Sequence, residues 1–133
     1  MAEKNPYTST HGRRKGAVAR ARLFKGRGIT TVNGKPYEEY FPSVVAQSKI
    51  NKLFGLLKEA GDHYLTIRVD GSGKNSQLTA VIHSIARTYT LENKDFRPTI
   101  KKAGYLTRDP RVRERRKFGK AQKARKGKQS PKR

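Results

Sequence analysis

The side chains in this chain that can do chemistry are overwhelmingly cations. Its last stretch, Thr107 to Arg133, carries Arg108, Arg111, Arg113, Arg115, Arg116, Lys117, Lys120, Lys123, Arg125, Lys126, Lys128, Lys132 and Arg133. Only Asp109 and Glu114 oppose them, so the stretch holds +11 of the chain's +22. Val112, Phe118 and two alanines are its apolar side chains, too few to offset ordering costs of about 1–2 kcal/mol per residue. Such a segment is an extended, self-repelling arm until a polyanion supplies counter-charge. Arginine suits phosphate because its planar fork donates bidentate hydrogen bonds. A second cluster, Arg13, Arg14 and Lys15, sits between Gly12 and Gly16, with Arg20 and Arg22 close behind.

The remaining chemistry is sparse. Gly71-Ser72-Gly73-Lys74-Asn75-Ser76 invites comparison with a nucleotide phosphate loop, but that pattern needs a glycine where Arg68 stands and a Ser or Thr where Asn75 stands. Two readings of this stretch stand. One is a plain strand-to-helix turn; the other is a phosphate site in which free backbone N–H groups and Lys74 receive a nucleic acid backbone. His11, His63 and His83 share no metal-ligand spacing, and the carboxylates Glu38, Glu39 and Asp70 form no acid–base pair. No serine has a nucleophile-elbow setting. No catalytic constellation, cofactor site, metal site or small-molecule substrate site is expected. The chain has no cysteine, hence no disulfide framework and no thiolate metal site, which fits a cytosolic setting.

Charge is distributed unevenly along the elements that must position these groups. Residues 1–36 carry a net +8 and residues 37–106 only +3, so an ordinary globular middle lies between cationic flanks. With a pI near 10.8, this asymmetry points to nucleic acid rather than to a membrane. No apolar run of about 18 residues is present, and the basic tail lacks an interfacial apolar stripe. Residues 1–12 read as a loose leader, and Gly12–Gly16 as a cationic pair of loops.

Ala17–Phe24 alternates, with Val18, Arg20 and Arg22 on one face and Ala17, Ala19, Ala21 and Leu23 on the other. Ile29–Val32 is a second strand, Asn33-Gly34 a tight turn, and the stretch to Phe41 a short strand or an irregular connection. Pro42-Ser43 opens a helix whose stripe is Ile50, Leu53, Leu57 and Ala60, widened by Phe54 and Leu56 and stopped by Gly61. His63–Asp70 is a strand with Leu65, Ile67 and Val69 inward. Gln77 to about Tyr89 is a second helix, with His83 and Arg87 on its outer flank and open either to RNA or to solvent. Phe96–Ala103 is a short helix closed by Gly104. Tyr7, Tyr37, Tyr40, Phe41, Tyr105 and Phe118 fall in loops or arms, with Tyr40 and Phe41 packing inward and Phe118 best placed to stack on a base. The sum is an α/β (α+β) domain, residues 1–106, with about four strands and two main helices, followed by the extended basic tail, residues 107–133.

Three blocks, in order, resemble one family: protein nine of the small ribosomal subunit. They are Gly12-Arg13-Arg14-Lys15 with AVARARLFKG and ITTVNGK, then Gly71 to Arg87, then Lys102 to Arg111 with ERRKFGKAQKAR. The resemblance spans nearly the whole chain. It implies a small mixed sheet of antiparallel type with helices on one face, and a left-handed βαβ crossover, a hand that the periodicity does not reveal. It further implies a cytoplasmic, ribosome-bound protein in the small-subunit head, with 16S-type rRNA and neighbouring head proteins as partners. By position it implies that the terminal Lys132 and Arg133 touch peptidyl-site tRNA. The chain has Gly71-Ser72-Gly73 where the family often has three glycines, and it ends Gln129-Ser130-Pro131-Lys132-Arg133 where the family resembles Phe-Ser-Lys-Arg. The rRNA-binding set expected on residues and resemblance together is Arg13, Arg14, Lys15, Arg20, Arg22, Lys74, His83, Arg87 and the tail cations from Arg108 to Lys128. The rival readings are a free-standing basic nucleic acid binder and an enzyme of the kinase-like families with a similar fold; the latter lacks its phosphate loop and its magnesium carboxylate.

Overall fold

A computed structural model of the chain describes residues 7–57 and 62–125. The sheet holds β1 (Tyr7–Arg14), β2 (Ala17–Lys25), β3 (Thr31–Val32), β4 (Lys35–Pro36) and β5 (His63–Asp70). The helices are α1 (Tyr37–Tyr40), α2 (Val44–Leu56), α3 (Lys74–Glu92) and α4 (Arg97–Lys102), the last preceded by a single 3₁₀ turn at Lys94–Phe96. Strand order is β1-β2-β5-β3-β4. The three long strands are antiparallel neighbours, whereas β3 runs parallel to β5 and antiparallel to β4. The parallel pair is joined by a crossover containing α1 and α2. This is the mixed α/β architecture expected, with five strands rather than about four.

The additional strand lies in the supposed leader. Tyr7–Gly12 belong to β1, in register with β2 from Tyr7↔Phe24 to Arg14↔Ala17. Its inward positions are Thr8, Thr10 and Gly12, so no apolar alternation betrays it. Polar contacts hold it to α3 instead. The Thr8 hydroxyl donates to Glu92 Oε2 at 2.5 Å, and Thr10 donates to the Ser84 carbonyl at 3.0 Å and lies 2.6 Å from Thr88 Oγ1. Gly12–Gly16 is therefore not a pair of loops. Arg13 and Arg14 end β1, and Lys15-Gly16 is a two-residue hairpin turn in which Lys15 takes φ 53°, a region that glycine favours.

Alternation placed the central strands correctly. Ala17, Ala19, Ala21 and Leu23 of β2 and Leu65, Ile67 and Val69 of β5 are buried, and the intervening residues face outward. Asn33-Gly34 turns with φ 52° and 82°, both left-handed as such a tight hairpin requires. Asn33 also reaches β5, accepting from Val69 N–H and donating to its carbonyl, each at 2.9 Å. Only Thr31 and Val32 of the expected second strand are in the sheet, and Ile29 is exposed. The next stretch is β4 followed by α1, so Tyr37 and Tyr40 lie on a helical turn rather than in a loop.

In α2, Ile50 and Leu53 are buried and Leu57 caps the end, but Leu56 faces solvent. Ala60 and Gly61 lie outside the described residues. The helix α3 runs 19 residues, beyond Gln77–Tyr89 at both ends. Its first turn, Lys74-Asn75-Ser76, has no apolar residue to extend the stripe. In the last short helix Pro98 sits in the first turn, where its missing N–H costs nothing, and Gly104 closes it at φ 86°. Ile50, Leu53, Leu65, Ile67, Ile85 and Ile100 are fully buried, each contributing about 1.5–3 kcal/mol.

One contact sets the helix-to-sheet distance. A Cβ on Gly12 would lie 2.3 Å from the Ala80 carbonyl oxygen and 2.6 Å from the Ser84 nitrogen, both backbone atoms that cannot move aside. Gly12→Ala is expected to lower unfolding stability by about 1–3 kcal/mol through overpacking. Urea denaturation measures this, and an unchanged midpoint would show that the seam has slack.

Candidate nucleic-acid interface

Segments far apart in sequence converge at the β1–β2 hairpin tip. A Cβ on Gly71 would meet the Gly16 carbonyl oxygen at 2.4 Å, so the glycine-rich turn before α3 lies directly against the hairpin turn. Ser72 takes φ 54° there, a region favouring glycine. The tail root docks at the same end. Arg14 Nη1 donates to the Arg111 carbonyl at 2.6 Å, and its Nη2 lies 3.4 Å from Asp109 Oδ2. Asp109 is also gripped by the Arg111 guanidinium, at 2.6 Å between Oδ2 and Nη2. Hydrogen bonds from Arg111 hold the Asp109 carboxyl far below the usual carboxylate range.

The cluster Arg13-Arg14-Lys15 is thus divided by the strand pleat. Arg13 points to the helix-free face with Arg20 and Arg22. Arg14 turns toward the tail, its side chain only 13% exposed. Among the described residues, Arg13, Lys15, Arg20 and Arg22 make no ion pair.

Three residues of the expected set have other engagements. Lys74 does not stand over the glycine-rich turn. Its ammonium lies 3.3 Å from the centre of the Tyr40 ring and donates to the Tyr40 carbonyl at 3.3 Å. Tyr40 in turn donates to Gln77 Oε1 at 2.6 Å, and Phe41 is buried, so both rings pack inward as expected. Arg87 is exposed but donates to the His11 carbonyl at 2.5 Å, tying α3 to β1. His83 is half-buried rather than outward, and its Nδ1 is buried with no hydrogen-bond partner among the described residues. Burial lowers its pKa; the Leu106 backbone opposes that, and Arg87 adds to it.

Along the tail, residues 107–116 form no regular secondary structure and residues 118–125 turn and bend. Glu114 holds Lys117 Nζ at 2.8 Å and Arg125 Nε at 2.7 Å. Exposed pairs of this kind contribute only about 0–1 kcal/mol, so phosphate can displace them. Arg108, Arg113, Arg115, Arg116, Lys120 and Lys123 form no ion pair among the described residues. Phe118 is fully exposed. Lys126, Lys128, Lys132 and Arg133 lie outside the described residues. No described helix is long and apolar enough to cross a membrane.

The expected set also omitted Arg68. It follows the alternation of β5 onto the helix-free face, directly opposite Arg20. Its outward position was visible in HYLTIRVD, but its neighbour across the sheet was not.

Two predictions follow from these contacts. Asp109→Asn releases Arg14 and Arg111, so trypsin should cut the free protein faster between Arg108 and Arg116; an unchanged cleavage rate refutes the anchoring role. Because the folded chain disfavours charged His83, its contribution to stability is complete above about pH 6.5 and is lost as pH falls below that, where the unfolded chain takes up the proton first. An NMR titration midpoint for His83 below 6.5 is expected, and a midpoint above it contradicts the burial.

The sequence comparisons agree with one another. Residues 12–133 match the family model described as ribosomal protein S9/S16. A small ribosomal subunit protein uS9 of Maridesulfovibrio salexigens is 45% identical over 108 residues, covering 81% of this chain and 83% of the relative. The uS9 of Leifsonia xyli is 45% identical over 123 residues, covering 92% and 73%. That of Desulfovibrio desulfuricans is 44% identical over 119 residues, covering 90% of each.

Proposed function

The chain belongs to the ribosomal protein S9/S16 family, and from that premise we propose that it binds 16S-type rRNA in the head of the small subunit and reaches peptidyl-site tRNA with its C-terminal tail. The observation that carries this reading is the docking of the tail root, through Asp109 and Arg111, onto Arg14 at the hairpin tip. It gives the arm a fixed origin on the domain and leaves most of its described cations without an ion pair, able to neutralise phosphate. In this reading residues 7–106 form the rRNA-bound body, residues 107–133 form the threading arm, and neighbouring head proteins border the body. The particle works in the cytoplasm. Chemistry belongs to the RNA; the protein contributes charge and position.

Arg13, Lys15, Arg20, Arg22 and the tail cations contact rRNA backbone, each phosphate contact adding about 0.7–0.9 to the log–log salt slope. Lys74, His83 and Arg87 contribute less directly, through the packing described above. Lys132 and Arg133 contact the tRNA backbone, since a basic pair at the tip of an arm recognises phosphate and not base identity. Small subunits assembled with a chain lacking Lys132 and Arg133 should retain the protein at normal stoichiometry. They should also bind peptidyl-site tRNA several-fold more weakly. Unaltered tRNA occupancy refutes the tail assignment.

A further inference from the structure

Among the described residues, one face of the sheet is covered by helices and the other is left bare. Across the bare face the register places His11, Arg20 and Arg68 in one row over β1, β2 and β5, and Ser9, Arg22 and Thr66 in the next. Arg13, Val18 and Asp70 form the row beside the hairpin tip. Val18, Arg20, Arg22, Thr66, Arg68 and Asp70 line an open trough of about 510 Å³. Among the described residues, neither its arginines nor Asp70 make an ion pair.

Arg20 directly opposite Arg68 is a like-charge pair at the closest spacing that a sheet offers, and such pairs destabilise. The fold keeps two guanidinium groups where a carboxylate at either position would relieve the repulsion, and Asp70, one row away, forms no ion pair with either among the described residues. An external anion relieves it equally well. The aromatic residues of this face indicate which part of a nucleic acid is involved. Tyr7, Phe24 and Tyr64 share the far row, but they pack on one another, with centroids 5.5 and 5.2 Å apart. Gly28 lies so close over Tyr64 that a Cβ there would come within 2.7 Å of the ring. Arg22 covers Tyr7 at 5.1 Å. These rings are therefore occupied, unlike the open aromatics on sheets that stack unpaired bases.

We propose that the helix-free face of the sheet is a separate RNA-backbone docking surface in which Arg20 and Arg68 jointly clamp phosphate without reading base identity. The proposal rests on the rRNA-binding reading above and adds Arg68 and the mode of contact.

The test uses full-length protein, small-subunit rRNA and two short RNA duplexes of unrelated sequence, with binding measured across a salt series. Arg68→Gln is compared with Lys52→Gln, which removes the same charge from the exposed surface of α2. Arg68→Gln should weaken binding about five- to tenfold more than the control and lower the salt slope by about 0.7–0.9. It should do so equally for both duplexes, and Arg68→Lys should restore most of the affinity. The melting temperature of free Arg68→Gln should be unchanged or higher, since a repulsive pair has been removed. Arg20→Gln should act in the same direction on both readouts. Equal losses for Arg68→Gln and Lys52→Gln overturn the proposal while leaving rRNA binding intact. A loss confined to one sequence overturns the backbone mode, and a loss seen only with other head proteins present makes the face a protein contact instead. Failure of the unaltered protein to bind small-subunit rRNA overturns the reading on which the proposal rests.

Discussion

At Gly12 the backbone of β1 approaches α3 so closely that no side chain fits between them. The rest of the domain is arranged about that approach. Ala17, Ala19 and Ala21 keep the neighbouring strand equally low, and Ala80, Ser84 and Thr88 present a small-residue stripe to receive it. Small residues bury little apolar area each, so the seam gains from many close contacts and from hydroxyl bonds rather than from bulk. With α3 seated this way, every second side chain of β1, β2 and β5 faces outward. Those outward positions hold Arg13, Arg20, Arg22 and Arg68.

The second constraint is the scarcity of carboxylates. The chain has 10 acidic residues against 32 basic ones, so most cations can have no internal partner. Three of the acids sit at junctions. Asp109 fastens the tail root to the hairpin, Glu114 gathers Lys117 and Arg125, and Glu92 takes Thr8 and Lys25 where α3 ends. Each pair is individually weak in water. Together they fix directions in a molecule whose long-range electrostatics is otherwise repulsive.

Much of this was legible beforehand because β2, β5, α2 and α3 carry clean apolar periods. The inward faces of β2 and β5, the Asn33-Gly34 turn, the Pro98 helix and the inward packing of Phe41 all follow from local rules. What stayed hidden has a common cause. The strand β1 is invisible to hydrophobic periodicity because its inward residues are Thr, Thr and Gly, which bond or abut α3 instead of entering an apolar core. Lys74 was assigned to phosphate from its place beside two glycines; nothing local reveals the Tyr40 ring, 34 residues earlier, that takes its ammonium. His83 is sheltered near the Leu106 backbone, again a distant contact. Arg68 had its facing predicted and its partner not, because register between distant strands is set by the assembled sheet.

The seam between β1 and α3 joins residues 74 to 84 positions apart in the chain. During synthesis the β1–β2 hairpin is made before α3, and its inner surface of alanines, threonines and Gly12 lacks the helix it packs on until Glu92 has left the ribosome that is making it. A two-stranded ribbon of this length is marginal in water. The hairpin, made before the helix that covers it, is thus secured only after residues 74 to 84 positions further along have followed.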